Sequence, residues 1–302
     1  VTDLLYDDVI MPRGIRGRSL WEDARRRLMR NPAAVVSLYV VAILILLAIF
    51  GPMLWVYKID QIFRDRVAIP PTLDHLHILG TDTEGRDMVA RTLFGLRISL
   101  LVGFAATTVA LTIGVAYGAI AGFFGGVVDE VMMRIVDVLY AIPFIFFVIV
   151  LMTLIDTPDP FLKLMLIFMA IGAVEWLTMA RIVRGQTIAL RNKEFVEAAR
   201  ASGAKPMEIV RRHIVPNVLG PVVVYATLNI PVIILAESFL SFIGLGVQEP
   251  LTSLGRLISD GSEQMINAPW MLITPAVTML ITLLAMNFMG DGLRDALDPK
   301  DR

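Results

Sequence analysis

The sequence predicts an all-α protein that crosses a membrane six times with both termini on the inner side, and three observations predict it. Hydrophobic residues make up 56% of the 302-residue chain and charged residues only 18%, against about a quarter charged in soluble domains. The apolar residues fall in runs. Ala33 to Leu54 contains no ionised side chain, and at about 1.5 Å per residue it is long enough to cross ~30 Å of hydrocarbon. With six runs threaded from an inner N-terminus, 19 of the 27 Lys and Arg residues lie on the inner side and 8 on the outer. That asymmetry sets the orientation.

The runs lie near 33–54, 98–122, 135–155, 161–180, 217–237 and 271–290. In a bilayer each must satisfy its own backbone, so helices are the expected state; no alternating barrel strands are visible. Asp156-Thr157-Pro158-Asp159-Pro160 joins the third and fourth runs as a tight turn. The expected organisation is a cytoplasmic segment 1–32 followed by a membrane domain 33–302. Outer loops fall at 55–97 and 238–270, and a long inner loop at 181–216.

The first 30 residues mix Asp3, Asp7, Asp8, Glu22 and Asp23 with seven Arg, which is too much charge for a signal peptide, so the first span is expected to stay in the mature protein. Ser19 and Glu22 have capping-box spacing. Leu20, Ala24 and Leu28 follow on one face with Arg25, Arg26, Arg27 and Arg30 opposite, and Asn31-Pro32 ends the pattern. This predicts an amphipathic helix on the inner surface. In the second run Ala106, Ala110, Gly114, Gly118 and Gly122 recur every fourth residue, a ridge along which another helix backbone can approach closely.

The inner loop is the one long polar inner segment. It carries eight basic residues together with Glu194, Glu197 and Glu208, so it is not a polybasic lipid tract. Glu194 to Ala201 reads as a short helix stopped by Gly203, which accepts positive φ. Pro206 opens a second helix from Met207 to His213, and Pro216-Asn217 is expected to close the unit.

Glu197-Ala198-Ala199, Gly203 after three intervening residues and Pro216 downstream resemble the EAA loop of permeases from ATP-binding-cassette importers. In that family the loop docks on cytoplasmic ATPases. The resemblance implies an ATPase-coupling role for Glu197, Ala198, Ala199, Gly203, Ala204, Pro206, His213 and Pro216. His213-Ile214-Val215-Pro216-Asn217 replaces the usual Leu-Pro ending and looks like the peptide-transporter branch. Leu79-Gly80-Thr81-Asp82, Gly85-Arg86-Asp87, Gly244 to Pro250 and Gly290 to Pro299 resemble dipeptide and oligopeptide permeases. Gly17 to Arg27 resembles the C subunit of oligopeptide transporters. The resemblance covers almost the whole chain and implies a type I importer-like bundle in the bacterial cytoplasmic membrane. Its expected partners are a second homologous permease, two P-loop ATPases that bind ATP and Mg, and an extracytoplasmic peptide-binding protein. It implies oligopeptide cargo, with dipeptides or a small solute such as nickel as alternatives.

Other chemistry is sparse. Cysteine is absent, which removes disulfides, thiol nucleophiles and Cys-ligated metals. The net charge of −1 gives no basic field for nucleic acid. Asp74-His75-x-His77 offers too few ligands for a stable metal site. Glu175 and Glu237 fall near span ends; an intramembrane carboxylate is a functional candidate by default, and near the interface snorkelling or a pair such as Glu175–Arg181 is the alternative. Arg86, Arg91 and Arg97 are expected to pair with carboxylates. No G-x-x-x-x-G-K-[ST] occurs, so no ATPase site is expected in this chain, and no catalytic residues are assigned. A protease constellation is missing, since no His lies within a run and Asp137 and Asp291 sit near the inner ends of theirs. An ion-coupled secondary transporter is the remaining competing class.

Overall fold

In the computed structural model, residues 25–155, 157 and 159–297 are described. The expected capping box at Ser19 and Glu22, the Gly17 to Ala24 part of the N-terminal resemblance, Asp156, Pro158 and the Asp298-Pro299 ending lie outside them. Residues 25–28 are helical, in line with the inner-surface helix.

The described residues contain no β-strand, only two isolated antiparallel bridges in the first outer loop. The helices are α1 (Pro32–Leu54), α2 (Met88–Phe124), α3 (Gly126–Tyr140), α4 (Phe144–Leu154), α5 (Pro160–Leu190), α6 (Glu194–Ala201), α7 (Pro206–Ile209), α8 (Val215–Phe242), α9 (Leu254–Glu263) and α10 (Trp270–Leu297). Five are long and apolar enough to span alone, α7 and α8 counting together as one. The pair α3 and α4, bent by 78°, makes a sixth only if the two count as one broken span. Pro143 lies at the break: it has no N–H, and its own backbone is extended at φ −60° and ψ 127°.

Two helices overrun their apolar runs. α2 begins at Met88 because the Asp87 side chain accepts from the Ala90 amide and caps it. α5 continues to Leu190, well into the expected inner loop. Its N-cap Asp159 and first-turn Pro160 fix its start.

α2 is the central post. Its small-residue ridge packs on α5 so closely that a Cβ on Gly118 would sit 2.3 Å from the Ala180 carbonyl, and one on Gly114 2.6 Å from the Met179 side chain. Backbone proximity of this kind lets dispersion act where the hydrophobic effect cannot. Around the post lie three apolar clusters. One joins Ile98, Val102 and Ala106 to Ile167 and Ile171 of α5 and Ile233 of α8. A second joins α1, α2, α8 and α10 through Val41, Leu100, Ile234 and Met286. The third underlies α6 and α7 and includes Phe123, Val183, Val196, Ile209 and Ile214.

Candidate functional site

The inner loop folds as a helix–turn–helix. α6 ends in a Schellman turn: the Gly203 amide donates to the Arg200 carbonyl at 2.9 Å and the Ala204 amide to the Ala199 carbonyl at 3.1 Å. Gly203 has φ +82°, the left-handed conformation this turn requires. Val196, Ile209, Val210 and Ile214 are buried and seat the unit on the inner end of α2. Arg200 lies over the Phe123 ring at 5.4 Å.

The opposite side is open. Glu197, Ala198, Gly203 and Pro206 are exposed, with Phe195 and Met207 beside them. Ala199 and Ala204 are half-buried and pack against the underlying cluster. Six of the eight predicted residues therefore gather at one turn. His213 and Pro216 stand further along the second helix, and Phe195 and Met207 are neighbours that the motif did not name. Each of these two neighbours is the second residue of its helix.

Pro216 does not close the unit. The chain runs on helically from Pro206 to Phe242. A π-turn over Val210–Ile214 widens the helix just before the proline, and Val215 donates to Val210. This relieves the clash a proline ring makes with the carbonyl four residues back. The Asn217 amide side chain bonds the His213 carbonyl at 2.6 Å.

The outer loop is a polar lock built on two aspartates. Asp82 accepts from the Glu84 and Arg86 amides at 2.9 and 2.8 Å and from Arg86 Nε at 2.8 Å, and it also meets Arg91. Burial by itself would raise the Asp82 pKa. Arg91, the Arg86 amide and the Arg86 guanidinium outweigh it and hold the carboxyl below its ordinary value. Asp87 caps α2 and accepts from Trp55 Nε1 at 2.9 Å, and its other oxygen meets His77 Nδ1 at 2.9 Å. His77 is thus part of the lock. Among the described residues no group of three or more His, Asp or Glu converges on a metal position. Arg86 reaches Glu249, and Arg91 lies 3.7 Å from Asp260. Arg97 differs from expectation: it donates to the Ala48 and Ile49 carbonyls of α1 and, among the described residues, to no carboxylate. Pro52 explains half of this, because it leaves the Ala48 carbonyl without its usual helical donor.

Glu175 departs from the span-end reading, while Glu237 stays near the end of its helix but does not snorkel. Glu237 is fully buried, and accepts from Ser241 at 2.6 Å and Ser99 at 3.2 Å. Glu175 pairs with Asn229 of α8 at 2.9 Å and not with Arg181, which bonds Asp137 of α3. Because α5 continues to Leu190, Glu175 lies halfway along its helix.

Residues 114–302 match the family model described as binding-protein-dependent transport system inner membrane component, and residues 19–71 match the N-terminal TM domain of oligopeptide transport permease C. The chain is 52% identical over 288 residues to the oligopeptide transport system permease protein OppC of Haemophilus influenzae, covering 95% of this chain and 91% of that protein. Against OppC of Escherichia coli K12 the identity is 53% over 288 residues, covering 95% and 94%. Against OppC of Bacillus subtilis it is 45% over 284 residues, covering 94% and 91%. Among solved structures, an inward-facing MetNI methionine ABC transporter superposes with a TM-score of 0.55 at 22% identity, over 70% of this chain and 98% of that one, so the fold is shared. The chain belongs to the family of binding-protein-dependent transport system inner membrane components, in the branch of oligopeptide transport permease C.

Proposed function

We propose that this chain is one of two permease subunits of an ATP-driven importer and moves oligopeptides inward across the bacterial cytoplasmic membrane by alternating access. The observation that carries the reading is the helix–turn–helix at Glu194–Ile214. It offers an open rim of Phe195, Glu197 and Met207 around Gly203, on a base cored into α2 and α8. Such a unit can dock a partner and pass its movement on without deforming. Hydrolysis belongs to two cytoplasmic ATPases that bind ATP and Mg. Glu197, Ala198, Ala199, Gly203, Ala204, Pro206, His213 and Pro216 form the coupling contact. Both termini lie in the cytoplasm, as the excess of inner Lys and Arg supports. The names of the relatives favour oligopeptide cargo delivered by an extracytoplasmic binding protein. Dipeptide or other small-solute cargo in the same family is the second reading.

ATP closure shifts the permease only in so far as the ATPases contact its two states differently. The test is purification of the tagged chain from native membranes in mild detergent, with partners identified by mass spectrometry. Recovery of a second permease and P-loop ATPases supports the assignment, provided that altering Glu197 and Gly203 together releases the ATPases alone. Recovery of the chain alone with transport intact overturns it in favour of an ion-coupled transporter.

A further inference from the structure

Glu175 lies in a membrane-spanning helix but outside that helix's buried stripe; the residue is partly buried, and Asn229 Nδ2 donates to one carboxylate oxygen at 2.9 Å. Among the described residues no basic side chain comes within ion-pair distance of it. Arg181, two turns along the same helix, is already engaged with Asp137 at 2.9 Å. Glu175 is about 22 Å from the start of α5 and Asn229 about 21 Å from the start of α8, at 1.5 Å per residue. Glu175 therefore stands midway along α5, and Asn229 midway along α8.

The surroundings separate this face from a lipid-facing one. Thr178 is a neighbour on the same helix face, and Tyr225 is within electrostatic reach of Glu175 and Thr178. The exposed face of α1, in contrast, is Ile43, Leu46 and Phe50. An intramembrane carboxylate with polar neighbours and no cationic partner lines a water-filled cavity or meets a polar ligand, because hydrocarbon would not solvate it. Glu237 has no such opening; serines enclose it.

We propose that Glu175, held by Asn229, is a cation-recognising station in the translocation path that receives lysine or arginine side chains of the passing peptide. This rests on the peptide-permease reading above. A charge-assisted hydrogen bond supplies the recognition. A single carboxylate with one neutral support holds the cation weakly enough for it to move on, as conduction requires. Asn229 is the positioning residue: it fixes the orientation of the carboxylate and contributes no charge.

The test uses the complete transporter, this chain with its partner permease, ATPases and binding protein, in proteoliposomes. Uptake is measured for three labelled tripeptides that differ only in a central Lys, Leu or Glu, each with binding protein at saturation. Glu175→Gln is expected to lower the Lys-to-Leu uptake ratio by about tenfold, equivalent to about 1.4 kcal/mol, while Leu-peptide uptake persists. Glu175→Asp is expected to keep part of the preference, and Asn229→Ala to lose part of it. An unchanged ratio, or an equal fall for all three peptides, overturns the proposal and leaves the permease reading standing. If Glu175→Gln does not assemble, the Glu175→Asp and Asn229→Ala ratios decide the question in the same way. If the wild-type complex imports none of the three peptides although its binding protein holds them, the peptide reading falls and this proposal falls with it.

Discussion

The Arg86 guanidinium and the Glu249 carboxylate meet at 3.0 Å across 163 residues of sequence. The contact ties the first outer loop to the segment between α8 and α9. Arg86 bonds Asp82 with Nε and turns its Nη2 toward Glu249, so one planar side chain clamps two loops. Replacing Arg86 with Lys keeps the charge but loses the fork. Arg86→Lys is expected to lower the thermal unfolding temperature of the detergent-solubilised chain, with Arg86→Ala lowering it further. Equal temperatures for wild type and Arg86→Ala would remove the clamp from the account.

Asp82 gives the lock a pH dependence. Its carboxyl is depressed in the folded chain, so its stabilisation is fully present above the ordinary value of 3.8 and is lost as pH falls through the lower folded value. Asp260 has the opposite sign. Burial raises its carboxyl despite Arg256 and Arg91, so its ionisation costs stability as pH rises above 3.8 through its folded value. Asp82→Asn is expected to destabilise by about 3–5 kcal/mol near neutral pH. The gap to wild type should narrow once pH falls below 3.8. Denaturant titrations at several pH values in detergent read both effects.

At Gly203 a Cβ meets nothing within 4 Å, so substitution there is limited by backbone conformation alone. Gly203→Ala is expected to cost about 1–2 kcal/mol at the turn, the penalty of a left-handed L-residue. Gly203→Pro also removes the amide that donates to Arg200. We expect it to separate ATP hydrolysis from uptake while the complex still assembles. Uptake at the wild-type rate in the assembled Gly203→Pro complex would show that the turn does not transmit coupling.

Gly118 tests the ridge. An alanine there puts its Cβ against the Ala180 carbonyl, where no flexible side chain can yield. Gly118→Ala is expected to destabilise by about 1–3 kcal/mol through overpacking. Gly126→Ala, where a Cβ meets nothing within 4 Å, is the control for packing, with only its positive φ as a cost. Thermal unfolding of both variants in the same detergent separates the two terms.

Glu237→Leu removes the acceptor of Ser241 and of Ser99, which also accepts from the Leu254 amide. Leaving those hydroxyls without an acceptor costs about 1–3 kcal/mol each. Glu237→Gln keeps an acceptor oxygen and is expected to be milder. A Leu variant as stable as the Gln variant would show that the serines find other partners.

Much of this architecture is written in local chemistry. Gly203 and Pro206 announce a turn because each has one conformational use there, and the every-fourth-residue ridge needs only helical geometry to be read. What escaped depends on neighbours. Pro216 looks like a terminator until a π-turn one turn earlier makes room for its ring. The polar segment Arg181–Leu190 reads as loop, yet it is helical because Arg184 is held by Asp129 at 2.5 and 2.6 Å and Arg181 by Asp137. That extension moved Glu175 from a span end to the middle of its helix, and no periodicity in the fourth run could have shown it. Arg97 needed the carbonyl freed by Pro52, which lies 45 residues away in the chain.

The unbroken run from Pro206 to Phe242 has a mechanical consequence. Its 37 residues make a rod about 55 Å long at 1.5 Å per residue. One end lies beside Gly203, Asn229 sits past its middle, and Glu237 stands near the far end. A tilt of about 10° at the inner end would swing the outer end by roughly 10 Å over that length. The π-turn, Pro221 and Pro231 are the points where the rod can flex and lose part of that stroke. How much of the inner displacement reaches the outer side is therefore set by the bending stiffness of three short stretches of one helix.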